Sequence, residues 1–322
     1  MNFWTKLSRP FLILAPMEDV TDTVFRQIIT ACHKPDVFFT EFTSADGLQS
    51  RGRSHVIHRL QFSQTERPIV AQIWGMDPDN YFKSALEIVQ MGFDGIDINL
   101  GCPERSVVAK GACAALIKNP QLAAEIISAT KKGAGTLPVS VKTRIGYEHI
   151  QTRDWITFLL MQNLAALTIH GRTAKEMSHV PAHWDEIGKA VALRNALKKS
   201  TLIIGNGDVK SRTQALKLIS DFGVDGVMIG RGIFENPWVF ESVSLSHTPR
   251  EKLQKFLEHI NLFDLTWKGS KNFLMLRKFA KMYVNGFMGA SSLRVKIMET
   301  KTLGELKTVI EEILLNLSTN SA

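Results

Sequence analysis

Eight short apolar segments recur between residues 11 and 232, each followed by a stretch of helical periodicity, and this alternation restricts the fold more than any other feature. The segments are 11–17, 37–42, 68–75, 95–101, 138–146, 166–172, 201–208 and 226–232. Strands that alternate with amphipathic helices form parallel sheets. Eight such units over about 230 residues match the count and length of a (β/α)8 TIM barrel. Helix starts are marked by Asp22, by Asp77 ahead of Pro78, and by Ser211. Each places a side-chain acceptor, or a proline at the first helical position, where a helix begins.

The pattern changes near residue 246. A polar Ser-His-Thr-Pro link leads into segments of helical periodicity alone, at 250–267, 271–287, 291–300 and 303–317. These predict a small all-α bundle. The expected division is therefore a barrel over 1–245 and a helical domain over 246–322.

The net charge is +8, and from residue 246 onward 12 Lys and Arg face 7 Asp and Glu, so the bias is concentrated in the helical segment. Such a surface suits a polyanionic partner. No apolar run approaches the roughly 18 residues of a membrane span, and no signal-peptide pattern opens the chain, so a cytoplasmic protein with no membrane partner is expected. Cysteines at 32, 102 and 113 form no CxxC pair, which argues against a zinc site or a disulfide framework. A monomer is the simpler expectation.

Polar residues cluster after the strands, at the end where barrel enzymes carry their chemistry. Asn206-Gly207-Asp208 and Gly230-Arg231-Gly232 follow strands seven and eight, where glycine-exposed N–H groups and an arginine suit a phosphate. Lys142 and Arg144 are two apart on one strand, so they share a face. A lysine directed into a barrel needs an anion, and a reduced flavin is one. His170 and Arg172 end strand six, and the amide of Gln72 can pair with the edge of a planar heterocycle. Cys102, between Gly101 and Pro103 and beside Asn99, is the sharpest candidate. A thiol of pKa about 8.5 can protonate a carbanion left by hydride addition to a conjugated ring.

Taken together, 15–22 (Ala-Pro-Met-Glu-Asp-Val-Thr-Asp), Asn99-Leu100-Gly101-Cys102-Pro103, Lys142-Thr143-Arg144-Ile145-Gly146, His170-Gly171-Arg172-Thr173, Gly205-Asn206-Gly207-Asp208 and Gly230-Arg231-Gly232 resemble the tRNA-dihydrouridine synthases. The resemblance implies an FMN-binding barrel with a tRNA-binding helical domain. It also implies a reaction in which NADPH reduces FMN, hydride passes to C6 of a uracil, and Cys102 protonates C5. By motif position the FMN contacts are Pro16, Met17, Glu18, Gln72, Lys142, His170, Asn206, Gly207, Asp208, Gly230 and Arg231. Asn99, Arg144 and Arg172 are the substrate contacts, and Arg277, Lys278, Lys281, Arg294 and Lys296 are cations for the RNA.

Two stretches depart from the family pattern, residues 177–184 (Met-Ser-His-Val-Pro-Ala-His-Trp) and Gly111-Ala112-Cys113. The residues alone also fit a barrel reductase of a small conjugated molecule, of dihydroorotate or dihydropyrimidine dehydrogenase type, and a tRNA-binding protein without catalysis.

Overall fold

The computed structural model describes residues 2–243 and 245–319; the last three residues of the expected helical segment lie outside them. The strands are β1 (Phe11–Leu14), β2 (Phe38–Phe39), β3 (Thr43–Ser44), β4 (Ile69–Trp74), β5 (Gly95–Leu100), β6 (Val139–Arg144), β7 (Ala166–His170), β8 (Leu202–Asn206) and β9 (Gly226–Ile229). All pair in parallel, in the order β1-β9-β8-β7-β6-β5-β4-β2, with β3 also on β4. A bridge from Ile13 to Val37 brings β1 beside the start of β2, which draws the two ends of the sheet together into a barrel. β2 falls inside the segment read as 37–42 and β3 lies just beyond it, so each of the eight expected segments carries a strand and β3 is an additional short one.

Register determines what fills the interior. Val70, Ala166, Leu202, Ile204 and Met228 pack with Phe11, Ile13, Val37 and Phe39 into one buried cluster, and Trp4 joins it from a 3-10 turn, Phe3–Lys6. Burying each large side chain of this kind contributes ~1.5–3 kcal/mol. Two residues further along the same strand faces the side chains become polar: Gln72 on β4, Asp97 and Asn99 on β5, Ser140 and Lys142 on β6, Thr168 on β7 and Asn206 on β8. The barrel therefore has an apolar floor and a polar roof at the C-terminal ends of its strands.

The chain packs as two compact units, one made of 1–23 with 35–230 and the other of 24–34 with 231–322. The second unit is helical. Helix Pro249–Trp267 opens on a capping box between Thr248 and Glu251 and buries Leu253, Phe256, Ile260, Phe263 and Trp267, spaced three and four apart. Ala290–Glu299 and Leu303–Thr319 follow the expected helical segments.

The expected helix over 271–287 is instead a 3-10 stretch, Phe273–Phe279, running into one α-turn, Ala280–Tyr283. Buried Leu276, Phe279 and Met282 recur every three residues. A spacing of three puts Leu276 and Phe279 on one side of the 3-10 helix, and Met282 continues the row into the α-turn. Among the described residues no helix is long and apolar enough to cross a membrane.

Candidate active site

Cys102 sits just beyond β5, half-buried, on a loop held by Asn99. The backbone N–H groups of Gly101 and Cys102 both donate to Asn99 Oδ1, each at 3.0 Å. Asn99 Nδ2 donates to Gln72 Oε1 at 3.0 Å, Gln72 Nε2 donates to Asp97 Oδ2 at 2.7 Å, and Ser140 Oγ donates to Asp97 Oδ1 at 2.6 Å. Gln72, Asp97, Asn99 and Ser140 are all buried. Burial pushes the Asp97 carboxyl up to about 6, opposed by the bonds from Ser140 and Gln72 and by the charge of Lys142. The same cause raises the Cys102 thiol, with Glu18 adding to the effect, while the backbone of Glu104 and the charges of Lys142 and Arg144 pull it down. The net direction leaves Cys102 protonated at neutral pH.

Lys142 lies on the same inner face, opposite Asn99 in the β5–β6 register and opposite Thr168 in β6–β7. Burial, and then the charge of Arg144, lower its ammonium to about 8. Among the described residues this ammonium has no hydrogen-bond or ion-pair partner, and the buried Thr168 hydroxyl has no hydrogen-bond partner. Arg144 is anchored: Nε donates to the carbonyl of Gly101 at 2.8 Å, and Nη1 to the carbonyls of Thr173 at 3.0 Å and Met177 at 3.2 Å. It braces the same loop that carries the thiol.

On the next strands His170 Nε2 lies 3.2 Å from Arg172 Nη1, and Arg172 pairs with Asp208 and donates to the carbonyl of Val180. Asp208 also accepts the N–H of Ala182 at 2.9 Å, and Trp184 Nε1 donates to the carbonyl of Gly207 at 3.0 Å. The unusual 177–184 loop thus supplies carbonyls to two arginines and is pinned to the end of β8. Gly207 has φ +133°, and a Cβ there would lie 2.6 Å from Ala182 and 3.2 Å from His170, so only glycine fits this turn. Asn206 donates to the carbonyl of Met228 at 2.8 Å.

Pro16, Met17 and Glu18 follow β1. The Met17 N–H donates to Thr21 Oγ1 at 2.9 Å, and Glu18 pairs with Arg59 at 2.9 Å. Gly230 follows β9, and Arg231 opens a 3-10 turn, Arg231–Phe234. Cys113 is buried in a small cluster with Val107 and Ala112, against which Trp74, Met76 and Cys102 pack. Sequence reasoning passed over Asp97, Ser140 and Thr168. The signal for Asp97 was present, since a carboxylate two residues before Asn99 in an apolar strand must face the same side as Asn99. Ser140 and Thr168 carry no such mark.

The residues suit an anionic, planar group that offers hydrogen-bond acceptors. An unpartnered lysine and an unpartnered buried hydroxyl lie opposite one another in the β6–β7 register on the roof of one barrel. A parallel barrel with its polar groups gathered at the C-terminal ends of the strands is the frame of an enzyme. The family model described as Dihydrouridine synthase (Dus) matches residues 13–318. The chain is 47% identical over 314 residues to a probable tRNA-dihydrouridine synthase of Staphylococcus aureus (strain COL), covering 97% of this chain and 95% of that one. It is 45% identical over 314 residues to a probable tRNA-dihydrouridine synthase 2 of Bacillus subtilis (strain 168), covering 97% and 96%. The chain belongs to the dihydrouridine synthase family.

Proposed function

We propose that this protein is a tRNA-dihydrouridine synthase that reduces the C5–C6 double bond of a uridine in tRNA, using FMN and NADPH, with Cys102 as the proton donor to C5. The observation that carries the reading is the half-buried Cys102 on a loop braced by Asn99 and Arg144, with Lys142 opposite Asn99 in the β5–β6 register. When bound and reduced by NADPH, FMN would supply the hydride that adds to C6 of the uracil.

The remaining work falls to the chain. Lys142 and Thr168 would hold the flavin with a cation and a donor, and His170 lies on the same strand face as Thr168. Pro16, Met17 and Glu18 would contribute from the end of β1. The Asn206-Gly207-Asp208 turn, with Gly230 and Arg231, would hold the phosphate. Because the Asp208 carboxylate is committed to Arg172 and Ala182, the turn contributes backbone N–H and not charge. Arg144 and Asn99 brace the Cys102 loop that would meet the uracil, and Arg172, beside His170 and paired with Asp208, would be a further substrate contact. Cys102 then transfers its proton to C5, and solvent re-protonates the thiolate.

A uridine must leave its stack to reach a barrel mouth, so the RNA needs a basic surface. In the helical unit Arg277, Lys278, Lys281 and Arg294 line one shallow depression, and we assign it to the phosphate backbone. A tRNA substrate places the work in the cytoplasm.

The test is unmodified tRNA incubated with flavin-loaded protein and NADPH, with dihydrouridine read by mass spectrometry. Formation of dihydrouridine by the wild type and its loss in Cys102→Ala, with flavin still bound and reducible, is the expected result. Product formation by Cys102→Ala at the wild-type rate refutes the assignment of the acid.

A further inference from the structure

We propose that Asp97 is a positioning residue that, acting through Gln72 and Asn99, sets the direction of a hydrogen-bond relay and thereby fixes the backbone of the loop carrying Cys102. A carboxylate can only accept, whereas a side-chain amide has an accepting and a donating end. Asp97 accepts from Ser140 at 2.6 Å and from Gln72 Nε2 at 2.7 Å. Gln72 must therefore turn its oxygen toward Asn99, and Asn99, having donated Nδ2 to that oxygen, must present its own oxygen to the loop. The N–H groups of Gly101 and Cys102 fill that oxygen at 3.0 Å each.

Every link from Ser140 to Gly101 is buried and the bond from Cys102 is partly so, which leaves water little access to a misdirected amide. With the direction reversed, the NH2 of Asn99 would face two backbone N–H groups and both loop bonds would be lost. Asn99 thus spends its oxygen on the protein, and its part in the reaction is to hold the thiol's backbone.

The alternative is that Asp97 merely satisfies polar groups inside a barrel. That would make stability depend on Asp97 but leave the loop indifferent to which end of Gln72 points where. The relay makes the direction decisive, and a charge swap separates the two. In Asp97→Asn the amides are free to reverse. In the double variant Asp97→Asn with Gln72→Glu, the carboxylate at 72 accepts from both neighbours, so Asn99 is again forced to present its oxygen.

The readouts are amide hydrogen exchange at Gly101 and Cys102 and the pH profile of Cys102 alkylation by iodoacetamide. With the flavin-loaded protein, kcat and KM for tRNA are also measured. Loss of two hydrogen bonds should speed exchange at both amides about tenfold or more in Asp97→Asn. The alkylation profile should shift, and kcat should fall with KM for tRNA unchanged. The double variant should return exchange toward the wild-type rate. Gln72→Met, which cuts the relay without touching the carboxylate, should give the same fast exchange and keeps the test open if Asp97→Asn does not fold. Wild-type exchange in Asp97→Asn or Gln72→Met, or a double variant that exchanges as fast as Asp97→Asn, overturns the proposal. The effect on kcat rests on Cys102 being the acid, but loop exchange does not. Full product formation by Cys102→Ala with slow loop exchange would remove the acid and leave the relay standing.

Discussion

The floor and the roof of the barrel are built from the same strands, on the same face, two residues apart, yet they do opposite things. Val70, Ala166 and Ile204 close the floor with carbon, while Gln72, Thr168 and Asn206, each the next inward residue, bring nitrogen and oxygen to the roof. The buried Trp4 Nε1 has no hydrogen-bond partner among the described residues, but the carbon groups of the floor have their requirements met by packing. The roof does not, since Lys142 and Thr168 stand unpartnered among the described residues. A strand of six residues is long enough to hold both layers, so the floor can stabilise the fold while the roof keeps groups whose needs only a ligand meets. The relay from Asp97 to Cys102 is the exception: polar, in the roof, and satisfied internally.

The contrast can be broken most severely at Cys102. Replacing it with alanine should lower dihydrouridine formation by ~10²–10⁴-fold, the range for loss of a positioned acid, while the thermal midpoint stays near that of the wild type. Phe39→Ala in the floor should do the reverse, lowering unfolding free energy by ~3–5 kcal/mol in urea titration while flavin binding by the remaining folded fraction is kept. A comparable fall in unfolding free energy in both variants would erase the distinction between the layers.

A smaller effect should come from pH. Lys142 is held at about 8 in the fold against its ordinary 10.5, so it loses its charge as pH rises through about 8. FMN affinity, followed by fluorescence titration, should weaken across that interval and lose this dependence in Lys142→Met. In the flavin-free protein the sign is opposite. Between about 8 and 10.5 the unfolded chain binds the extra proton, so this group's contribution to stability rises with pH there. Smallest is the basic depression. Lys281→Gln and Arg277→Gln should each reduce tRNA affinity modestly and lower the salt slope by roughly one, with turnover of saturating tRNA unaltered.

Most of the frame was legible. Strand identity followed from apolar runs punctuated by glycine and polar residues, and the rim from where those residues fell. Lys142 was correctly read as facing inward, because Val139, Val141 and Ile145 leave no exposed face for an edge strand. The roof's internal wiring was less visible. Which end of Gln72 faces Asp97 depends on register between strands 25 residues apart, and no local pattern encodes that. Asn99 shows the limit most clearly. Its type and position suggest a substrate contact, while its geometry commits its oxygen to the N–H groups of Gly101 and Cys102. The 3-10 stretch at 273–279 was misjudged because apolar spacing of three fits either helix type until burial selects one.

One part of the floor bears on handling the protein. Trp4 is 2% exposed, its ring tilted against Phe11 at 6.0 Å and Phe39 at 6.4 Å between centroids. That indole acts as the barrel's stopper. An expression clone lacking Trp4 would pull the stopper and open a void beneath a polar roof that it never touches.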